Sequence, residues 1–430
     1  MSIRNTYPTI RPSLNLDFAR SRTLDPRITF SRTTTGTYMD SDGLIKVASA
    51  DEARFDHRYV NGQLESLGLL VEESRSNLVT YSSDMSQWSS NGGSFASNDT
   101  TAPDGTLTAD KLTESSGVFN GRYNGGTITL SANTTYSVAS FIKPVDQPTT
   151  RFGIYSGSDW YAFLDTNWDA NGNPTTSVSP AASNVKYEPY PNGWYRASFT
   201  FTTPSSVSAF QQYHQHPDRT ASGKSAWFWG AQLEEGAFPT SYIPRPDAST
   251  ATRNPDSVTM TGDNFSDWYN QEQGSIVWIG RVYTKEDPGL CAFRINRTDG
   301  GSLRGMAMQI DTRYSNNNNT INFMSRTQSS NIPSKVASVG IVTSTSTIKL
   351  AGGYIESVGL STIRAAFNGD PENSYSGSSQ TDVVDGAMNE LEIMGDRGTS
   401  GANYPFTGVC EKLVYYPRIL TDDQLQNLTK

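Results

Sequence analysis

The chain has 430 residues, of which 35% are apolar and 11% aromatic, and its formal net charge is −9. This length predicts two domains with an extension, and the aromatic content is too high for a disordered chain. The acidic balance argues against a nucleic-acid surface and against adhesion to anionic lipid by charge, and no apolar run reaches the roughly 20 residues that span a membrane.

The first residues lack the apolar segment of a secretory signal, so we expect a product that stays in the cytoplasm or leaves by a route such as lysis. Cysteine use agrees with a reducing compartment. Cys291 and Cys410 are too few for a disulfide framework, and we expect two free, buried thiols.

Residues 1–75 contain short apolar pieces that alternate with polar residues and are separated by turns. This pattern predicts an extended N-terminal arm without a core of its own. Arginines are concentrated in the arm. They would be either solvated and ion-paired or a docking surface for an acidic neighbour in a larger assembly. The four arginines are Arg20, Arg22, Arg27 and Arg32.

Two motifs of this region, Leu24-Asp-Pro-Arg-Ile-Thr-Phe-Ser-Arg32 and Gly68-Leu-Leu-Val-Glu-Glu-Ser-Arg-Ser-Asn-Leu78, together with Leu16-Asp-Phe-Ala19, resemble the opening of structural proteins of tailed bacteriophages. Such proteins are tail fibres, spikes or decoration proteins. The resemblance implies a virion protein that attaches to other virion proteins through its arm. It also implies a homotrimer.

Residues 76–246 contain many short strand-like segments with turns such as Asp104-Gly105 and Asn192-Gly193, a pattern typical of an antiparallel sandwich or jelly roll. The aromatic run Ala226-Trp-Phe-Trp229 begins the closing strand, which belongs inside a sheet because each ring buries a large area. This segment is similar to non-catalytic carbohydrate-binding modules of the jelly-roll type.

Residues 245–256 have the composition of a linker, and residues 257–430 predict a second sandwich. Near the end, Thr421 is placed to cap a short helix. Phe367-Asn-Gly-Asp370 and this ending resemble the concanavalin A-like, laminin G-type lectin sandwich. The predicted fold class is all-β, with two antiparallel β-sandwiches in tandem after the extended arm.

Sugar binding needs flat aromatic faces at the surface with polar groups nearby. Five aromatic residues lie in loop-rich or proline-flanked surroundings that fit this need. The alternative is that each fills the core or plugs a sandwich end. The candidates are Trp160, Tyr161, Trp168, Tyr187 and Tyr190, whereas Trp194, Trp227 and Trp229 are assigned to the core.

The sequence patterns for metal binding and for catalysis are weaker than the pattern for sugar binding. His214 and His216 would project from one strand face toward a shared metal ion, or would belong to a polar loop. Glu234 and Glu235 would pair with arginines or bind the one structural calcium ion that the module resemblance allows, and no other cofactor is expected. Glu72-Glu73 and Glu390/Glu392 are typical of solvated strand faces. No catalytic pattern is present, so we expect a protein that is not an enzyme.

The sequence therefore predicts a virion structural protein, made in the host cytoplasm and released on lysis. The favoured function is a tail fibre or spike adhesin that binds host surface polysaccharide without catalysis. The alternative is a capsid or tail decoration protein whose sandwiches make only protein contacts. Neither nucleic acid nor membrane insertion is expected.

Overall fold

The structure is a computed structural model that describes residues 7–115, 120–124, 128–146, 149–157, 159–169, 171–206, 210–216, 223–283, 290–296, 305–311, 320–326, 335–341, 347–357, 360–379, 388–395 and 407–430. The predicted all-β class is confirmed. Three short helices are present in these ranges, and none of them is long and apolar enough to cross a membrane. The helices are α1 (Phe18–Ser21), α2 (Asp263–Ser266) and α3 (Asp422–Leu428).

In chain order the strands are β1 (Leu14–Asp17), β2 (Thr29–Ser31), β3 (Gly36–Met39), β4 (Ile45–Ala48), β5 (Arg54–Val60), β6 (Gln63–Val71), β7 (Arg75–Asn77), β8 (Ser89–Ser90), β9 (Ser94–Thr100), β10 (Ala109–Thr113), β11 (Asn120–Tyr123), β12 (Thr135–Pro144), β13 (Thr150–Tyr155), β14 (Trp160–Trp168), β15 (Pro174–Val178), β16 (Ser183–Pro189), β17 (Tyr195–Thr202), β18 (Gln211–His216), β19 (Ser225–Glu235), β20 (Ala251–Arg253), β21 (Ser257–Thr261), β22 (Gln273–Val282), β23 (Leu290–Asn296), β24 (Gly305–Asp311), β25 (Thr320–Arg326), β26 (Lys335–Ile341), β27 (Ile348–Ser357), β28 (Leu360–Phe367), β29 (Asp370–Ser379), β30 (Glu390–Ile393) and β31 (Gly408–Tyr416).

The first sandwich consists of two six-stranded antiparallel sheets, in the orders β16-β17-β12-β19-β10-β9 and β15-β14-β13-β18-β11-β8. Their inner faces enclose a core that includes Val138, Phe152, Leu164, Phe199 and Leu233. Each of these side chains lies at a position that points to the inner face of its sheet, because successive side chains of a strand point to opposite faces. We call the second of these sheets the platform sheet.

The closing strand β19 lies in the middle of its sheet, between β12 and β10, as its aromatic content predicts. A β-bulge interrupts its alternation at Gly230, which has φ of 64°. A Cβ atom there would lie 2.8 Å from the ring of Phe141, so only glycine fits. Ala226 and Phe228 before the bulge, like Leu233 after it, therefore all face the core.

The second sandwich packs an eight-stranded sheet (β29-β28-β27-β22-β31-β6-β5, with β1 beside β31) against a seven-stranded sheet (β2-β21-β30-β23-β24-β25-β26). Strands from the N-terminal region therefore occur in both sheets. Leu14, Phe18 and Phe30 lie in the same core as Trp278 and Leu413. The predicted extended arm is wrong in this respect: β1, β2, β5 and β6 complete the second sandwich. Strands β1 and β6 pair with β31 and β2 pairs with β21, all far along the chain, whereas β3 pairs with the adjacent β4.

The hairpin of β3 and β4 connects the N-terminal region to the first sandwich. Ile45 packs in a small cluster with Phe141, Trp194 and Trp229, and its N–H donates to the carbonyl of Pro103 at 3.0 Å. Trp194 and Trp229 are thus buried as predicted, whereas Trp227 is only half-buried.

The predicted linker, residues 245–256, is not a free connection. Its residues Ala251–Arg253 form β20, which pairs with β7, and Arg253 and Asp256 are both buried. The polar composition of residues 245–256 therefore does not indicate an exposed linker, because the charges of Arg253 and Asp256 are paired inside the protein.

At the C-terminal end, the Thr421 side chain accepts a hydrogen bond from the N–H of Gln424, and the Gln424 side chain bonds back to Thr421. This capping box starts α3, which buries Leu425 as predicted. Cys291 and Cys410 are both buried and are not joined in a disulfide, also as predicted. The sequence run Asn316–Asn319, whose composition predicts a turn tip, lies outside the described residues.

Candidate functional site

A buried group of charged residues occupies the junction between the two sandwiches, and it includes Glu72, which is buried and does not lie on the solvated strand face that its sequence pattern predicted. The Glu72 carboxylate lies 2.6 Å from Arg54 and 3.3 Å from Arg253. It also accepts hydrogen bonds from the N–H and hydroxyl of Ser241, both at 2.7 Å. Burial alone would raise the pKa of Glu72, but the two arginines and Ser241 outweigh it and lower the pKa to about 2.

Asp256 extends this group because its two carboxylate oxygens bind different arginines. One oxygen lies 3.0 Å from Arg32 and the other lies 2.5 Å from Arg54. Arg32 is 1% exposed and also donates to the carbonyls of Thr34, Ser49 and Glu52. Arg32 therefore stabilises the junction and is not available to dock onto another protein, which corrects its assignment to a virion-attachment surface.

The other three arginines of the predicted attachment surface differ in exposure. Arg20 and Arg22 are exposed at the end of α1, where Arg22 adopts a left-handed conformation with φ of 51°. Arg27 is half-buried and forms a hydrogen-bonded ion pair with Asp25 at 2.9 Å. Two of the four predicted side chains thus remain exposed and close together.

Glu234 on β19 is fully buried and is held by residues of its own region. The hydroxyl of Thr240 donates to it at 2.8 Å and the N–H of Thr240 at 3.0 Å, and Gln232 also donates to it. Burial raises the pKa of Glu234, while the nearby Arg253 opposes this effect. The sequence predicted that Glu234 pairs with arginine or binds calcium, whereas the hydrogen-bond donors that hold it are Thr240 and Gln232.

The outer face of the platform sheet presents a different kind of site. Five aromatic side chains from β11, β13, β14 and β18 lie side by side there. Four are half-buried and so partly open to solvent, and the fifth, Tyr213, lies at the centre with 8% exposure. We call this surface the aromatic platform; its residues are Tyr123, Tyr155, Trp160, Phe163 and Tyr213.

The rings of the aromatic platform contact one another in a continuous group around Tyr213. Tyr123 stacks on Tyr213 with ring centroids 4.7 Å apart and planes inclined by 16°. Tyr155 and Trp160 lie 5.2 and 5.6 Å from Tyr213, and Trp160 meets Phe163 edge-on at 5.7 Å. Mutual packing of this kind fixes the ring orientations before any ligand arrives.

One ion pair lies beside the rings. Arg151 binds Asp165 through two hydrogen bonds of 2.6 and 2.7 Å, and its guanidinium carbon lies 3.8 Å from the centre of the Phe163 ring and 5.1 Å from that of Trp160. Burial, followed by the neighbouring Tyr123 and Tyr155, raises the pKa of Tyr213 to about 12. The platform therefore combines apolar ring faces and the Tyr213 hydroxyl, which is protonated at neutral pH, with the ion pair of Arg151 and Asp165.

Of the five predicted sugar-binding residues, the structure places only Trp160 on the aromatic platform. Tyr161 faces the other way, packs against Phe201 and Phe210, and donates its hydroxyl to the carbonyl of Thr202 at 2.7 Å. Trp168 packs against Tyr195 between the two sheets of the first sandwich. Tyr161 and Trp168 thus fit the alternative that the ring packs against the core or an end of the sandwich.

Tyr187 and Tyr190 lie elsewhere again. Tyr187 packs against the core, with its hydroxyl 2.8 Å from that of Thr166. Tyr190 meets Phe141 edge-on at 4.9 Å at the junction, and burial raises its pKa. The predicted set is therefore not one site.

Sequence reasoning missed four members of the platform and its ion pair. Arg151 and Tyr155 alternate along β13, as do Phe163 and Asp165 along β14, so a shared face could be read within each strand. The pairing of β13 with both β14 and β18, which adds Tyr213, had no marker in the sequence.

Of the predicted histidine pair, the structure describes only the side chain of His214, which packs against Phe152 and Phe228. The ring of His214 is 1% exposed and stacks on Trp88 at 5.2 Å, and burial lowers its pKa to about 3. Asp218 and the side chain of His216 lie outside the described residues. In the part of the chain that is described, no three His, Cys, Asp or Glu side chains are grouped to hold a metal ion. Glu390 and Glu392 bind Asn296 and Arg294.

No protein-family model and no curated protein sequence matches the chain. Among solved structures, the CBM40 of the Ruminococcus gnavus IT-sialidase bound to α2,3-sialyllactose is similar with a TM-score of 0.30 and 16% identity, over 39% of this chain and 88% of that one. Domains LG4-5 of the mouse laminin α1 chain give a TM-score of 0.23 and 8% identity, over 76% of this chain and 88% of that one. The Trypanosoma rangeli sialidase gives 0.29 and 9%, over 88% of this chain and 54% of that one. TM-scores this low carry no argument about this chain.

Proposed function

We propose that the protein binds a bacterial surface polysaccharide on the aromatic platform, without catalysis, as a tail fibre or spike adhesin of a tailed phage. The observation that supports glycan binding best is the platform itself. Five rings form one contiguous group on one sheet face, four of them partly open to solvent, with Arg151 and Asp165 beside them.

This composition suits sugars because a sugar ring has both an apolar C–H face and a rim of hydroxyls. The apolar face can lie on an aromatic ring, and the hydroxyls can bond to fixed polar groups. Trp160 has the largest ring of the platform, and Arg151 and Asp165 provide a hydrogen-bond donor and acceptor within the same surface. Since the cation and the anion are already paired, the platform favours a ligand with little charge near this pair.

The virion role has separate support in the resemblance of residues 16–32 and 68–78 to phage structural proteins. Attachment to other virion proteins would use the exposed Arg20 and Arg22 rather than the buried Arg32. In this proposal the assembled form is a homotrimer, so that several platforms bind one polysaccharide surface together. Mass spectrometry of purified phage particles tests virion membership, and light scattering of the purified chain tests the trimer.

An array of bacterial lipopolysaccharides and capsular polysaccharides, probed with the full chain, tests glycan binding. We expect binding to a restricted set of polysaccharides, and weaker binding of Trp160→Ala to the same set. Trp168→Ala is the matched control, since its ring lies off the platform. Absence of binding to every polysaccharide would contradict the adhesin and favour a decoration protein with protein contacts alone.

A further inference from the structure

A cleft of about 510 Å³ lies where the two sandwiches meet, and it shares no lining residue with the aromatic platform. Its walls come from the edge strand β5 of the second sandwich, the edge strand β16 of the first, the β3–β4 hairpin and residues 238–242. Its volume is in the range of small-molecule binding sites. We call it the junction cleft.

One wall of the junction cleft contains a buried polar atom without a partner. The Nδ1 atom of His57 lies 3.1 Å from the carbonyl of Met39, and because a carbonyl can only accept, Nδ1 must carry the hydrogen. The Nε2 atom is buried and has no hydrogen-bond partner, in a side chain that is 7% exposed. In the neutral ring, Nε2 can therefore accept a hydrogen bond from a donor such as a hydroxyl.

Other polar groups converge on the same space. Asp56 accepts a hydrogen bond from the N–H of Met39 at 2.8 Å, and burial raises its pKa to about 7. Tyr190 and Tyr283 line the cleft as well, and burial raises the pKa of each, so both hydroxyls remain protonated. The cleft thus supplies a carboxyl group, an imidazole acceptor and phenolic hydroxyls next to flat ring faces.

The charges of the cleft balance. Glu72, Arg58 and Arg281 are each ion-paired with another residue, at 2.6, 2.6 and 3.3 Å. The remaining charged lining residues are two cations and two acids, which disfavours a strongly charged ligand. These four are Lys186, Arg196, Asp56 and Glu188.

We propose that the junction cleft is a second, separate ligand site that binds one uncharged sugar residue. The hydroxyls of the sugar donate to His57 Nε2 and Asp56, and its apolar face lies against the tyrosine rings. Because the cleft lining contains none of the platform residues, this site does not depend on glycan binding at the aromatic platform.

Saturation-transfer NMR on the full chain tests the proposal, with methyl α-glucopyranoside, methyl β-galactopyranoside and methyl α-mannopyranoside as probes and N-acetylneuraminate as a charged comparison. Glu188→Trp places a large ring in the cleft from an exposed edge-strand position, so the fold should tolerate it. Val47→Trp, at a position that is 60% exposed and outside the cleft, is the matched control. His57→Phe removes the free acceptor.

We expect at least one neutral hexoside to bind with a millimolar Kd, and binding to weaken about tenfold or more in Glu188→Trp and His57→Phe. Val47→Trp and Trp160→Ala should bind like the wild type. The proposal is overturned by any of three results: no hexoside binds, N-acetylneuraminate is preferred, or Glu188→Trp binds as well as the wild type. Loss of binding in Trp160→Ala would also overturn it, because the sugar would then lie on the platform.

Discussion

The substitution Glu72→Gln tests whether the buried ion pairs at the junction hold the fold together. The change keeps the size of the side chain but removes the charge that faces Arg54 and Arg253. The pKa of Glu72 falls from its ordinary value of 4.5 to about 2 in the folded protein. At about 1.4 kcal/mol per pKa unit, the ionised carboxylate contributes about 3 kcal/mol to the free energy of unfolding at neutral pH.

Removal of one partner from a buried pair costs about 3–5 kcal/mol in other proteins, which agrees with this magnitude. Because the folded pKa is the lower one, the contribution is complete above about pH 4.5 and is lost as the pH falls through about 2. The difference between wild type and Glu72→Gln in urea unfolding should therefore be about 3 kcal/mol at pH 7 and shrink toward pH 2.

Glu65→Gln is the matched control, because Glu65 pairs with Arg58 at the surface, where its side chain is 48% exposed. An exposed pair of this kind contributes less than about 1 kcal/mol. If Glu72→Gln unfolds at the same urea concentration as Glu65→Gln, the junction does not depend on its buried charges and the reasoning is refuted.

Three further predictions concern stability and domain organisation. Trp168→Ala should lower the free energy of unfolding in urea titrations by on the order of 2 kcal/mol, because the ring packs between the sheets. Glycan binding should be unchanged. A binding defect with normal stability would contradict this placement of Trp168. Burial lowers the pKa of His214 from 6.5 to about 3, so the free energy of unfolding of the wild type should fall by about 1.4 kcal/mol per pH unit as the pH falls from 6.5 to 3. His214→Phe should remove this slope in thermal unfolding at a series of pH values, and an unchanged slope would contradict it. A chain of residues 76–430 lacks strands from both sheets of the second sandwich, so only the backbone amides of the first sandwich should be protected from hydrogen exchange. Full protection of the amides in both sandwiches would contradict the topology.

Local features of the fold were predictable from the sequence because short-range physics decides them. The aromatic content of residues 226–229 predicted a central strand, and Thr421 predicted a helix start. The short strand-like segments and turns of residues 76–246 predicted an antiparallel sandwich, and two six-stranded antiparallel sheets form it. These features depend only on neighbouring residues.

Features that depend on distant pairing were not predictable. Strand β1 (Leu14–Asp17) pairs with residues 412–415, close to the other end of the chain. Because the sequence pattern does not show so distant a partner, the N-terminal pieces were assigned to an arm. Arg32 was assigned to a surface because its partner Asp256 lies 224 residues away. The aromatic platform also depends on long-range pairing, since β13 joins β18 to β14.

Isothermal titration of the full chain with the oligosaccharide unit of the best array ligand tests the central claim most directly. Wild type, Trp160→Phe and Trp160→Ala should fold alike, because Trp160 lies on the outer face of its sheet. We predict that Trp160→Phe, which keeps an aromatic face, binds within a few-fold of wild type, and that Trp160→Ala raises Kd about tenfold or more. Equal Kd values for all three proteins would contradict glycan binding on the aromatic platform.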